Sequence, residues 1–199
     1  SSLPEQNSHL DSHADTTAVG ANFVLLDDLK TISNFVSVSP FSDEYDPIEN
    51  IPIASCATTW TDGSSGKPYL LIFHQVLYFG NRLSHSLLCP NQMRAFGVQV
   101  DDTPIQFNSN SQHAIIASTE NGDTVTMPLL MQGIISFLPT TKPTLEELDT
   151  CEQIVMTSEA PWDPGEERFG ENEDTLRYQM ERRVVNGIRI GIENSSYRI

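Results

Sequence analysis

"IASCATTWTDGSSGKPYLLIFHQVLYF", residues 53–79, decides the fold. Residues 53–60 are apolar or β-branched, which suits a strand. Residues 61–68 are dense in turn formers, with Asp62, Gly63, Gly66 and Pro68 together. Residues 69–79 form a longer apolar run with β-prone residues at its centre. Strand, glycine-rich turn and strand predict a β-hairpin with a mobile tip. Upstream, "TTAVGANFVLL" (16–26) reads as a strand bent at Gly20, and "TISNFVSVSPF" (31–41) alternates polar and apolar residues at period two. "SDEYDPIENIP" (42–52) reads as an acidic, proline-punctuated loop. Downstream, Leu87-Leu88 leads to Pro90, which suits a first helical turn, and Gly97 suits a helix stop. The spacing predicts a helix of about two turns over residues 90–96. Residues 111–138 read as a hairpin turned at Asn121-Gly122, with further strand after Pro128. A short helix opens at Thr144, with Glu146 and Glu147 in its first turn. Long helical patterns and internal repeats are missing, so the expected class is mainly β.

Composition narrows the function. The 199 residues carry 27 Asp and Glu against 11 Lys and Arg, for a net charge of −16. A phosphate backbone is bound by clustered Lys and Arg, so nucleic acid is not expected as a direct partner. Residues 144–175 hold eleven acids and one base, Arg168, the pattern of a solvated segment or linker. The three cysteines (Cys56, Cys89 and Cys151) are odd in number and form no C-x-x-C pair. Neither a disulfide framework nor a zinc knuckle is expected, and a reducing, intracellular compartment is the natural one. No apolar run approaches bilayer-spanning length, and no signal peptide is visible. The chain opens Ser1-Ser2 without Met, as a processed product or an excised piece would.

Chemistry is concentrated in "HLDSHADTTAVG" (9–20). Three readings compete. Asp, Ser and Thr commonly bond to nearby backbone, so this could be a polar turn entering a strand. If the stretch were a continuous strand, His9, Asp11, His13 and Asp15 would share one face and could hold zinc, iron or manganese. That array faintly resembles the H-x-H-x-D-H core of metallo-β-lactamase-like hydrolases. Asp11 stands where that family has its first His, and Thr16 where it has its third. His74, His85 and His113 add no ligand pattern.

The third reading rests on several pieces in order. Leu10, Asp11, Ser12, His13, Ala14 and Asp15, followed by Ala18 and Val19, resemble the retropepsin pattern around a catalytic aspartate. "YLLIFHQVLYFGNRLSHSLLCPNQMRAFGV" (69–98) is similar to the second half of the peptidase domain of copia-type retrotransposon polyproteins. There a "VLY" strand precedes a pattern that Leu87, Leu88, Gln92 and Met93 match. "VSPFSDEYDPIENIPIASCATTWTD" (38–62) looks like the intervening region of a divergent copia-like group of eukaryotic microbes. The resemblance covers about residues 9–104 and extends more faintly through "PTTKPTLEELDTC" and "SEAPWDP".

That resemblance implies a retropepsin-like closed β barrel or sandwich with a flap hairpin and one short helix. A β-rich and acidic C-terminal extension would follow. The implied organisation is a lead-in at 1–8, a retropepsin-like domain at 9–104, a β-hairpin extension at 105–143 and an acidic tail or linker at 144–199. It implies an aspartic endopeptidase that processes its own polyprotein within a cytoplasmic virus-like particle. Neither metal nor other cofactor is called for. Peptide hydrolysis of this kind needs two carboxylates sharing one proton, one activating water and the other donating to the carbonyl oxygen. One Asp-Ser motif per chain then implies a homodimer. By resemblance, Asp11 is the catalytic carboxylate, and Ser12 hydrogen-bonds across the two-fold axis. Ala14 and Asp15 contact substrate backbone, and the flap brings Asp62 and Gly63 to the substrate. Leu87 and Leu88 pack behind the loop.

One departure concerns His13, where retropepsins usually have Gly. Glycine permits close backbone approach, whereas a protonated imidazole would favour ionised Asp11 over the shared proton. His13 is thus a modulator of activity, a mark of a catalytically silent assembly or dimerisation domain, or an outward-pointing loop residue. Cys89, where viral retropepsins tend to have Gly, is a milder departure. Trp60 and Trp162 are expected as packing or loop anchors, and His74 as a hydrogen-bonded core histidine.

Overall fold

The computed structural model describes residues 7–39, 46–166, 169 and 175–181. Its strands are β1 (Ser8–Leu10), β2 (Ala18–Val19), β3 (Val24–Leu25), β4 (Phe35–Val38), β5 (Ile48–Thr61), β6 (Pro68–Tyr78) and β7 (Ser86–Leu88). Helix α1 (Pro90–Ala95) follows, then β8 (Gln99–Asp101), β9 (Ala114–Ser118), β10 (Thr124–Pro128), β11 (Leu130–Gln132) and β12 (Ile135–Leu138). Helix α2 (Leu145–Thr150) and strand β13 (Glu152–Val155) complete the set. The mainly β class is as the sequence implies.

The hairpin read from residues 53–79 is the spine of the molecule. β5 and β6 pair antiparallel from Ile53↔Leu77 to Thr61↔Pro68. The run Leu70, Leu71, Ile72 and Phe73 is buried throughout. Alternate side chains of a strand face opposite sides, so an unbroken apolar run signals burial on both faces. Leu71 and Phe73 enter the main core with Val19, Trp60, Val100, Ile115 and Met127. Leu70 and Ile72 point the other way, with Ala57, and are covered by Leu148, Cys151 and Val155.

The closed barrel is not formed. The main sheet runs β11-β12-β1-β7-β2-β6-β5-β3, with β13 also pairing β6 and β4 pairing β5. A separate sheet runs β10-β9-β8. The main sheet stays open because its edge strands, β11 and β3, do not meet. Both are two or three residues long, which limits the unpaired edge each presents.

Several boundaries differ from the sequence reading. The strand expected over 16–26 is two, because Phe23 N donates to Gly20 O (3.1 Å) in a turn that sends β2 toward β7 and β3 toward β5. Residues 48–52, expected as loop, open β5. Pro52 is tolerated there because Ile53 N donates to Asn34 O on the β4 side, so the Pro52 nitrogen points to the opposite edge, where the β6 ladder begins only at Ile53↔Leu77. Asn7 and Ser8, assigned to the lead-in, are buried, and Ser8 starts β1; residues 1–6 lie outside the described set. Buried polar side chains lock this region. Ser8 Oγ pairs with Thr140 Oγ1 (2.7 Å), Asn22 Nδ2 donates to both, and Ser86 Oγ donates to Asn22 Oδ1 (2.6 Å). Satisfied polar groups of this kind fix one register.

Residues 105–157 add to the same framework. β12 pairs antiparallel with β1, and β13 pairs parallel with β6 from Glu152↔Tyr69 to Val155↔Ile72. Ile154 and Met156 are fully buried. The acids of residues 144–157 therefore belong to a folded segment, because this apolar pair at period two takes it into the sheet. Thr144 caps α2, accepting from Glu147 N (3.2 Å) while Glu147 Oε2 accepts from Thr144 N (2.8 Å), a capping box. The chain divides into two units, Ser1–Trp162 and Asp163–Ile199. In the second, Asp163 accepts from Gly165 N (2.8 Å), and residues 175–181 are helical. Arg168, the base in the acidic run, lies outside the described residues. No helix among the described residues is long and apolar enough to cross a membrane.

Candidate active site

The Asp11 motif sits where β1 ends. β1 runs parallel to β7, with His9↔Leu87 and Leu10↔Leu88 in register. β7 in turn lies between β1 and β2, with Ala18 opposite Leu87. The strands on either side of β7 are therefore joined by the loop Asp11–Thr17, which must cross the end of β7. Asp11 N donates to Leu88 O (3.0 Å), the last bond before the chain turns. Asp11 then nucleates the turn itself. Its Oδ1 accepts from His13 N (2.9 Å), and its carbonyl accepts from Ala14 N (3.3 Å). A carboxylate accepting the amide two residues on is an Asx turn, the local chemistry expected of Asp.

The far end of the loop is clamped by the start of α1. Thr17 is fully buried. Its N–H donates to Gln92 Oε1 (2.9 Å), its Oγ1 accepts from Cys89 N (3.0 Å), and its carbonyl accepts from Leu77 N (2.9 Å). Gln92 Nε2 donates onward to Gln75 O (2.9 Å). Gln75 has φ 55, uncommon for a residue with a Cβ, at the register shift of the β5–β6 ladder. A side chain three residues into α1 thus joins β6, the loop and the helix.

Between its clamped ends the loop is presented to solvent. The Asp11 side chain is 35% exposed, and that of His13 is 97% exposed. Ser12 and Asp15 are exposed, and Ala14 is half-buried. The structure brings Asp11, Ser12, His13, Ala14 and Asp15 together on one turn. The His13 ring points outward, its Nδ1 4.0 Å from Asp11 Oδ1. That separation is enough for a charge–charge effect but not for a hydrogen bond, and water screens it. Cys89 is buried behind the loop, its thiol pushed up chiefly by burial, with the charges of Asp15 and Asp11 adding. It is an inert N-cap, its sulfur accepting from Gln92 N (3.4 Å).

The turn disperses the metal array. β1 ends at Leu10, so His9, Asp11, His13 and Asp15 do not share a strand face. His9 stacks on His85 (centroids 4.8 Å apart) and meets the edge of Phe137. Burial, then the neighbouring His85, lowers its pKa, and its buried Nε2 has no hydrogen-bond partner among the described residues. Among the described residues no three His, Cys, Asp or Glu side chains gather as a metal site.

Asp62 and Gly63 lie elsewhere. They occupy the β5–β6 turn, whereas Leu77, which bonds to Thr17, is at the opposite end of β6. Leu77 lies nine residue steps along the strand from Pro68, about 30 Å if fully extended. Nor is this hairpin a free flap. β13 flanks β6 as far as Tyr69, Thr59 and Thr141 exchange backbone bonds (2.9 Å each), and Lys67 Nζ meets Glu152 Oε2 at 2.6 Å. The freely projecting part is only the turn itself. There the Asp62 carboxylate accepts from the Ser65 and Ser64 hydroxyls (2.5 and 2.8 Å) and both their amides. The Ser65 hydroxyl leads these bonds in pulling its pKa down to about 2. The hairpin at the Leu77 end is β4–β5, whose strands pair from Phe35↔Pro52 to Val38↔Ile48. Period-two alternation identified β4, but the loop reading of residues 42–52 hid its partner.

One residue reaches the loop from far along the chain. Trp162 Nε1 donates to Asp15 O (2.9 Å). Sequence reasoning expected an anchor at Trp162 but did not locate what it anchors. No family model, curated protein or solved structure matches the chain.

Proposed function

We propose that this chain is a retropepsin-like aspartic endopeptidase of the copia-type retrotransposon class, processing its own polyprotein as a homodimer. The observation that carries the reading is the setting of Asp11. It is a solvent-facing carboxylate on a turn whose ends are fixed by hydrogen bonds, Asp11 to the Leu88 carbonyl and Thr17 to the Gln92 side chain and Leu77. One such carboxylate per chain cannot perform the chemistry alone, because base and acid must be different groups. Two Asp11 side chains meeting at a two-fold axis would share one proton, since close like charges oppose double ionisation. The ionised member draws a proton from water, and the protonated member donates to the scissile carbonyl oxygen. Ser12 would bond across the axis, and Ala14 and Asp15 would meet substrate backbone. Asp62 and Gly63 stand at the other end of β6 from the Asp11 loop of the same chain. A cytoplasmic particle is the setting that goes with this substrate.

A second reading, a silent assembly or dimerisation domain, is favoured by His13. Its ring is 4.0 Å from Asp11. It stands where retropepsins usually have Gly, which permits a close backbone approach that a side chain obstructs. The experiment is a longer precursor carrying wild-type Asp11 or Asp11→Asn, incubated from acid to neutral pH with and without pepstatin. The peptidase reading expects cleavage that both the substitution and the inhibitor abolish. Cleavage that survives Asp11→Asn, or none at any pH, defeats it, and dimerisation without cleavage supports the silent domain.

A further inference from the structure

The segment after β13 continues along β6 to the Asp11 loop. Met156 N donates to Ile72 O (2.8 Å). Thr157 Oγ1 accepts from His74 N and donates to His74 O (2.7 Å each). Gln75 Nε2 donates to Glu159 O (3.2 Å), and His74 Nε2 is 3.6 Å from Glu159 Oε1. The run ends with the Trp162 indole on the Asp15 carbonyl. Gln75 is common to both arrangements: its carbonyl takes the Gln92 amide that clamps Thr17, and its side chain holds this strap.

The loop bonds show why the last contact matters. Residues 12–16 make two other hydrogen bonds among the described residues, from His13 N and Ala14 N, and both return to Asp11. The clamps at Leu88, Cys89 and Gln92 act only on the ends, Asp11 and Thr17. Trp162 therefore supplies the one hydrogen bond that fixes the middle of the loop to the rest of the fold, among the described residues. We infer that Trp162 is a positioning residue for the Asp11–Asp15 loop. The working unit of the site then extends through the strap to residue 162, past residues 9–104, which carry the main resemblance, and into the fainter match at "SEAPWDP". The inference rests on the proposed peptidase reading for its functional consequence, though not for the tether itself.

The test uses the full chain as wild type, Trp162→Phe and Trp162→Gln. Phe keeps an apolar ring and loses the donor; Gln keeps a donor and loses the ring. Three quantities are measured: hydrogen exchange of the peptide spanning residues 10–17, pepstatin affinity across pH, and the thermal midpoint. Trp162→Phe should speed exchange at residues 12–16 and weaken pepstatin about fivefold, the scale of one lost hydrogen bond. Its midpoint should stay close to wild type, and Trp162→Gln should restore part of both effects. Unchanged exchange overturns the inference, as does faster exchange with unchanged affinity. A wild-type chain that binds no pepstatin overturns the peptidase reading instead, and the exchange arm still decides whether Trp162 holds the loop.

Discussion

Replacing Gln92 by Met is the most informative single perturbation of the site's support. Met nearly matches Gln in length and volume, so the core around the 3% exposed side chain stays filled. What disappears is the pair of 2.9 Å bonds to Thr17 N and Gln75 O. Thr17 is fully buried, so its amide loses its partner with no water to replace it. That costs about 1–3 kcal/mol, while the half-buried Gln75 carbonyl, which can find water, adds about 0.5–1 kcal/mol. The apolar thioether offsets a fraction, leaving a net loss of about 2–3 kcal/mol. For a chain of this size that corresponds to a fall of about 5–10 °C in Tm. Urea unfolding should show a lower midpoint with unchanged slope, since the surface exposed on unfolding is the same. Exchange at the Thr17 amide should accelerate more than at Leu71 or Phe73 in the core. A loss under about 0.5 kcal/mol, or a Thr17 amide as protected as before, would refute the claim that Gln92 clamps the loop.

Two further outcomes follow from geometry. An alanine at Gly20 would place its Cβ 2.1 Å from Leu83 O, a backbone atom that cannot swing away, whereas Gly63 has open space around it. Gly20→Ala should cost about 2 kcal/mol or more and Gly63→Ala under about 0.5 kcal/mol, read by urea unfolding. At the β5–β6 turn, Asp62 has a folded pKa of about 2 against an ordinary 3.8. A depressed carboxylate stabilises the turn above the ordinary value, and that contribution is lost as pH falls from about 4 through about 2. NMR titration of the Ser64 and Ser65 amides should show its midpoint near 2, and a midpoint near 4 would contradict the bonding described.

The parts of this architecture that were legible in the sequence are those set by local chemistry. The apolar run of residues 69–79 announced the second strand of the hairpin, β6. Pro90 and Gly97 bracketed α1, which ends at Ala95, and Thr144 with Glu147 marked the start of α2. Asn121-Gly122 turned the β9–β10 hairpin. What escaped was set by contacts distant in sequence. Pro52 reads as a strand breaker until one sees that its nitrogen faces away from any partner. Ile154 and Met156 lie in an acidic stretch, and only β6 reveals them as core. Asp11–Asp15 was legible as a polar turn because the turn is made by its own residues. Asp62 and Gly63 were assigned to a flap by resemblance, with the glycines of their turn supplying mobility, and neither signal says which end of β6 the turn occupies. Trp162 could be read only as an anchor, because its partner lies 147 residues away.

The central claim is that Asp11 works as one half of a two-chain carboxylate pair. Titrating the wild-type chain and Asp11→Asn with pepstatin, while sedimentation equilibrium reports mass, tests it most directly. The expected result is a wild-type dimer that binds one inhibitor per two chains, with binding lost in the Asp11→Asn variant. A monomer that binds none, or binding that is indifferent to Asp11, would contradict it.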